Sequence, residues 1–280
     1  MLKVGVVGLG TMGSGIVQSC VESGFDVVAV DVSGDIVSRA VDRVKLGLDK
    51  RVEKGKLEAR SASAAAAKIQ GTTKFDDLQG CAIIIEAVYE KQELKKSAIG
   101  RISETAGNDC VIATNTSSIS ITLLSKYSRH PENFIGMHFF NPVPLMPIVE
   151  IVRGYLTSDS TVSSATALAK GMKKEIVEVA DYPGFVSNRI LMPMINEAVF
   201  ALMEGVSTRD GIDRVMKLGM NHPMGPLELA DFIGLDVCLD ILNVLYEGFR
   251  DPKYRPAPLL VNMVNAGRLG RKSGEGFYRY

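Results

Sequence analysis

The sequence predicts an α/β protein: a doubly wound sheet with helices on both faces and a helical-hairpin insert, followed by an all-α C-terminal domain. Three observations carry this. A glycine-rich turn, Gly8-Leu-Gly10-Thr-Met-Gly13, follows the first apolar run directly and opens a helical pattern. Short β-branched runs then alternate with longer helical patterns, the sign of strands joined by crossover helices. After Asp181-Tyr-Pro-Gly184 only helical patterns remain, so the expected domains are 1–184 and 185–280.

Strands are expected at 2–7, 25–31, 69–74, 81–88, 110–115, 133–140, 147–153 and 175–181, the short runs that alternate with the helical patterns. Between the second and third lies the insert, 35–68, charged and helical in pattern and ending in the Ala-rich stretch Ala62 to Ala67. It reads as a helical hairpin standing off the sheet. Helices of the second domain are expected at 185–205, 207–219, 225–249 and 257–266, bounded by Gly, Pro or Ser/Asn caps. A stripe of Ile190, Met194, Ile195, Val199 and Leu202 serves either the core of that domain or a dimer face.

Composition excludes several classes. The chain of 280 residues carries 32 basic and 32 acidic side chains, so no net charge draws it to nucleic acid or to an anionic membrane. No apolar stretch reaches the ~20 residues of a membrane-spanning helix. The first strand begins so early that no leader peptide is expected. Cys20, Cys81, Cys110 and Cys238 lack metal-ligand spacing and sit in apolar runs, which reads as reduced packing residues of a cytoplasmic protein with no metal.

The glycine turn has the setting a dinucleotide requires: strand, tight turn, helix, second strand, and Asp31 at the end of that strand. Gly8 permits the turn, Gly10 lets a pyrophosphate approach the backbone, and Gly13 lets helix and strand pack closely. The pyrophosphate caps free N–H groups at the positive helix end. Asp31 is expected to accept from the ribose 2′-hydroxyl and to repel a 2′-phosphate, so the expected cofactor is NAD.

Three polar clusters fall at strand ends, where ligands bind in open α/β sheets: Asn115-Thr116-Ser117-Ser118, His138-Phe-Phe-Asn141, and Glu150 inside Ile148-Val-Glu-Ile-Val152. A carboxylate between apolar strand residues is costly without a partner. His138 and Glu150 are equidistant from Pro144, so they face each other if the strands fold back around Pro142 to Pro147. Such a dyad lets one imidazole nitrogen exchange an alcohol proton while the carboxylate holds the other. Ser117 either caps the helix that starts near Ser118 to Ser120 or, with Asn188, points at a substrate carbonyl.

With Thr114-Asn-Thr-Ser-Ser118, Gly136-Met-His-Phe-Phe-Asn-Pro-Val-Pro144, Pro183-Gly-Phe-Val-Ser-Asn-Arg-Ile190, Pro223-Met-Gly-Pro-Leu-Glu-Leu-Ala-Asp231 and Gly267-Arg-Leu-Gly-Arg-Lys-Ser-Gly-Glu-Gly-Phe-Tyr278, the chain resembles the 3-hydroxyacyl-CoA dehydrogenases from end to end. The resemblance implies a Rossmann-type first domain, His138 as acid/base with Glu150 as its orienting partner, and Ser117, Asn141 and Asn188 around an S-configured hydroxyacyl substrate. It implies Thr11, Met12, Asp31, Glu90, Lys95 and Asn115 around NAD, and a homodimer formed through the helical domain. From Arg39 to Lys56 the insert holds seven basic residues against three acids. Lys50 and Lys54 share one face of it, either as a solvated surface or as an attractor of CoA phosphates. The rival readings are a dehydrogenase of free hydroxy acids or sugar acids and a non-catalytic NAD binder.

Overall fold

In the computed structural model residues 2–280 are described, and they divide into two compact units, 2–181 and 182–280. The first unit runs β1 (Lys3–Val7), α1 (Thr11–Glu22), β2 (Asp26–Val30), α2 (Gly34–Glu53), α3 (Ala59–Ala66), β3 (Ile69–Thr72), β4 (Ile83–Glu86) and α4 (Gln92–Thr105). It continues with β5 (Val111–Thr114), α5 (Ile121–Ser125), β6 (Phe134–Phe139), β7 (Ile148–Arg153), α6 (Asp159–Gly171) and β8 (Glu175–Ala180). All eight expected strands form, in one sheet of order β3-β2-β1-β4-β5-β6-β7-β8.

Every neighbouring pair is parallel except β6 and β7. The exception has a simple cause. A parallel connection needs a crossover of a dozen or more residues, whereas the eight residues between Phe139 and Ile148 suffice only for a reversal. The central strands are buried along their whole length, save Lys3 at the start of β1, as a sheet covered on both faces requires.

The insert does not stand off the sheet. Val37, Ala40, Val44 and Leu48 recur at helical spacing along one face of α2 and join the core of β1, β2 and α1, together with Ala62 and Ala65 of α3. An apolar stripe of this width is stable only against a partner, and α1 supplies it. The approach is close: a Cβ at Gly47 would lie 2.3 Å from Gln18 Oε1. Lys50 and Lys54 remain exposed on the opposite side.

The second unit packs α7 (Ser187–Met203), α8 (Arg209–Arg214), α9 (Pro226–Ile233), α10 (Leu235–Phe249) and α11 (Pro258–Asn265) around one core of its own. The single helix expected over 225–249 is two helices, because Gly234 adopts φ +106° and breaks the backbone between α9 and α10. The expected stripe on α7 is also rotated: Met192, Ile195 and Val199 are buried, while Ile190 is 67% exposed. Two buried carboxylates tie this unit together. Asp213 accepts from the N–H groups of Leu227 and Glu228 at the start of α9 and from the Tyr278 hydroxyl; Asp231 accepts from the N–H groups of Phe277 and Tyr278. Among the described residues no helix is long and apolar enough to cross a membrane.

Burial pushes the thiols of Cys20, Cys110 and Cys238 up to about 12 and raises that of Cys81. Thiolate is the reactive form, so a disulfide reagent at pH 8 should find no rapidly reacting thiol in the native protein and four after denaturation. A fast-reacting native thiol would contradict this packing.

Candidate active site

The turn after β1 is shaped by its glycines. Gly8 has φ +92°, and a Cβ there would lie 2.7 Å from the backbone of Ala87 and Val88; a Cβ at Gly13 would overlap the Gly8 carbonyl at 1.8 Å. At Gly10 a Cβ would meet nothing within 4 Å, so the space beside the helix end is open. No side chain caps α1, and the N–H groups of its first turn, at Thr11 and Met12, border that space. Asp31 is fastened to the same turn: its carboxylate accepts from Leu9 N and Val32 N, each at 2.6 Å. Two of its roughly four acceptor positions are thereby used, and a ribose diol fits the remainder. An uncapped helix end with open space and a fixed carboxylate is the donor and acceptor set that the pyrophosphate and adenosine ribose of NAD need.

Next to this turn lies a charge cluster that the sequence reading did not single out as a unit. Glu86, fully buried at the end of β4, accepts from Lys95 Nζ at 3.0 Å, Thr114 Oγ1 at 2.6 Å and Val88 N at 2.7 Å. Lys95, buried in α4, also reaches Glu90 at 3.2 Å. Glu90 in turn accepts from Thr116 Oγ1, Ser117 N and Ser118 N. Burial would raise the Glu90 carboxyl, but the Lys95 ammonium and the Thr116 and Ser117 donors outweigh it and hold it below the usual range. The signal for Glu86 was a carboxylate ending the run Ile83-Ile84-Ile85, where only a buried cation makes a charge tolerable.

Ser117 is therefore carried on a loop anchored by Glu90. It does not cap the following helix: Ser120 is the N-cap of α5 and accepts from Leu123 N. Asn115 spends its side-chain oxygen on Phe139 N at 2.9 Å, tying the end of β5 to the end of β6.

At that end of β6 the antiparallel register pairs His138 with Glu150, and His138 Nδ1 lies 2.6 Å from Glu150 Oε2. Both side chains are buried, and the Phe140 ring packs against the imidazole at 4.9 Å between centroids. Asn141 is exposed just beyond them. His130 is half-buried beside Glu132. Asn188 belongs to the second unit, buried in the first turn of α7. Lys50 and Lys54 lie at the C-terminal end of α2, where positive charge also complements the helix dipole.

Residues 3–182 match the family described as 3-hydroxyacyl-CoA dehydrogenase, NAD binding domain, and residues 184–280 match 3-hydroxyacyl-CoA dehydrogenase, C-terminal domain. The chain belongs to the 3-hydroxyacyl-CoA dehydrogenase family. Within this family it is 47% identical to the 3-hydroxybutyryl-CoA dehydrogenase of Bradyrhizobium diazoefficiens, over 99% of this chain and 95% of that one. It is 46% identical to the enzyme of the same name from Clostridioides difficile, over 100% and 99%. The crystal structure of (S)-3-hydroxybutyryl-CoA dehydrogenase from Ralstonia eutropha superposes with a TM-score of 0.98 at 50% identity, covering 99% of this chain and 98% of that one. Like the family as a whole, the chain is an NAD-dependent oxidoreductase.

Replacing Lys95 by Met leaves Glu86 buried without its cation and should destabilise the protein by about 3 kcal/mol in urea titration. Lys96→Met, at a half-exposed neighbour, should change stability by less than about 0.5 kcal/mol. Equal effects of the two substitutions would deny the buried pair its role.

Proposed function

We propose that this chain interconverts (S)-3-hydroxybutyryl-CoA and acetoacetyl-CoA with NAD as redox partner. The observation that carries the reading is the cross-strand contact between His138 Nδ1 and Glu150, at 2.6 Å, in a family member whose near relatives are named for this reaction. In the oxidation, the C3–H bond breaks with its electron pair leaving as hydride, the C3–O bond becomes a carbonyl, and the hydroxyl proton is lost. NAD, when bound, supplies the hydride acceptor.

The rest falls to the protein. Glu150 accepts from Nδ1–H of His138, which makes Nε2 the nitrogen that takes the hydroxyl proton and returns it on reduction. The imidazolium formed is stabilised by the Glu150 charge, so proton transfer creates no uncompensated buried cation. Ser117 and Asn188 act as hydrogen-bond donors to the substrate oxygen, where they stabilise developing alkoxide charge. Asn141 borders the substrate.

Around the cofactor, Gly8, Gly10, Thr11, Met12 and Gly13 frame the pyrophosphate site and Asp31 takes the ribose diol. Glu90 and Lys95 act through the Ser117 loop, and Asn115 through the end of β6. Lys50 and Lys54 attract the CoA phosphates from the exposed end of α2. The protein works in the cytoplasm as a homodimer through its helical unit, a reading supported by exposed apolar side chains there such as Ile190, Val206 and Leu218.

Purified protein should oxidise NADH with acetoacetyl-CoA, and His138→Ala should lower kcat by about 10²–10⁴-fold while leaving NADH binding intact. Turnover with free acetoacetate but not with the thioester would replace this substrate by a free acid. NADPH should be poorer than NADH by about tenfold or more, since Asp31 repels a 2′-phosphate; equal rates would remove Asp31 from the ribose site. Neutralising Lys50 and Lys54 together should raise KM for the thioester and flatten its dependence on salt. An unchanged KM would return both lysines to the role of surface charge.

A further inference from the structure

One buried cation is used by none of the steps above. Lys174, immediately before β8, is 9% exposed, and its ammonium donates to the carbonyls of Val143 and Met146, both at 2.6 Å. These carbonyls belong to the segment between β6 and β7, which contains Pro142, Pro144 and Pro147 and is therefore poor in backbone donors. Its own hydrogen bonds run from Leu145 N and Met146 N to the Pro142 carbonyl, leaving Val143 and Met146 to the lysine. The next residue completes the attachment, because Glu175 N donates to the Pro147 carbonyl at 2.6 Å.

A charge in this place is expensive unless it is used. Burial holds the Lys174 ammonium below the usual lysine range; Glu22 of α1 favours its charge, whereas Arg51 of α2, itself paired with Glu22, opposes it. Two carbonyl dipoles, not a bonded carboxylate, are its hydrogen-bond partners. The same turn also rests on the cofactor helix: a Cβ at Gly15 would lie 3.0 Å from Val143 Cβ and 3.6 Å from Pro144 Cδ. Val143 follows His138 by five residues and Met146 precedes Glu150 by four, so the two clamped carbonyls stand between the members of the pair along the chain.

We propose that Lys174 is a positioning residue for the reaction: by gripping the β6–β7 turn it fixes how His138 and Glu150 approach each other, and how the turn seats on α1. The inference rests on the reading of His138 as the acid/base. Displacements of about 1 Å at a reacting centre lower rates by up to about 10²-fold, so a small slackening of the turn is visible in turnover.

The test uses the full chain with acetoacetyl-CoA and NADH. Lys174→Met removes the donors at nearly constant length. Gly15→Ala presses on the turn at Val143 and leaves Lys174 in place, which covers the case of a Lys174→Met protein that fails to fold. Each folded variant should lose about tenfold or more in kcat, with KM for NADH within about threefold of the parent and with the apparent pKa of the kcat profile displaced. Lys174→Gln, which retains N–H donors, should recover part of the lost kcat. Parental kcat and an undisplaced profile in the folded variants would overturn the proposal. If the parent protein itself shows no titrating group that His138→Ala removes, the acid/base reading fails instead, and the two failures are told apart.

Discussion

A sheet built from parallel strands reverses direction once, between β6 and β7, and the chemistry depends on that reversal. Antiparallel neighbours stand directly opposite each other with Cβ atoms about 5 Å apart. At this separation an imidazole and a carboxylate share a hydrogen bond without strain, and His138 and Glu150 occupy one such pair. Burying Glu150 alone would cost several kcal/mol, on the order of the penalty for an unpaired ion. Opposite His138 that cost is offset, and the imidazole receives a fixed tautomer in return. The carboxylate is tolerable in this core because the imidazole accompanies it.

The same rule for buried charge governs the ends of the neighbouring central strands β4 and β5. Glu86 is admitted to the core because Lys95 accompanies it, and Lys95 in turn steadies Glu90, which gathers the N–H groups of Ser117 and Ser118. The ends of β4 and β5, the loop bearing Ser117 and the glycine turn beside Ala87 thus form one connected frame. A site held this way keeps its geometry because the supporting groups are themselves locked by packing and hydrogen bonds. Placing the frame on strand ends, and not on a long free loop, serves the same end.

Much of this arrangement is legible in the sequence. Fully buried strands leave short runs of Val and Ile, as in β4, and even the half-exposed edge strands β3 and β8 fell within expected runs, so all eight were visible in the sequence. The facing of His138 and Glu150 followed from counting residues either side of Pro144, because register in a tight reversal is fixed by its length. Other features were hidden for physical reasons. Whether the apolar stripe of α2 finds α1 or stands clear is a tertiary question that periodicity cannot answer, and the helix break at Gly234 turns on one φ angle within an otherwise continuous pattern. Lys174 left no trace at all: a lysine looks solvent-exposed in sequence, and its partners are carbonyls of a segment some thirty residues away.

The most direct test of the central contact is the nitrogen-resolved proton spectrum of the histidine side chains, of which the chain has three. One Nδ1–H proton, held in the buried contact with Glu150, should resonate far downfield and exchange slowly with water. It should vanish in Glu150→Gln while the signals of His130 and His222 stay in place. A spectrum without such a proton, or one in which it survives the loss of the Glu150 charge, would contradict the account.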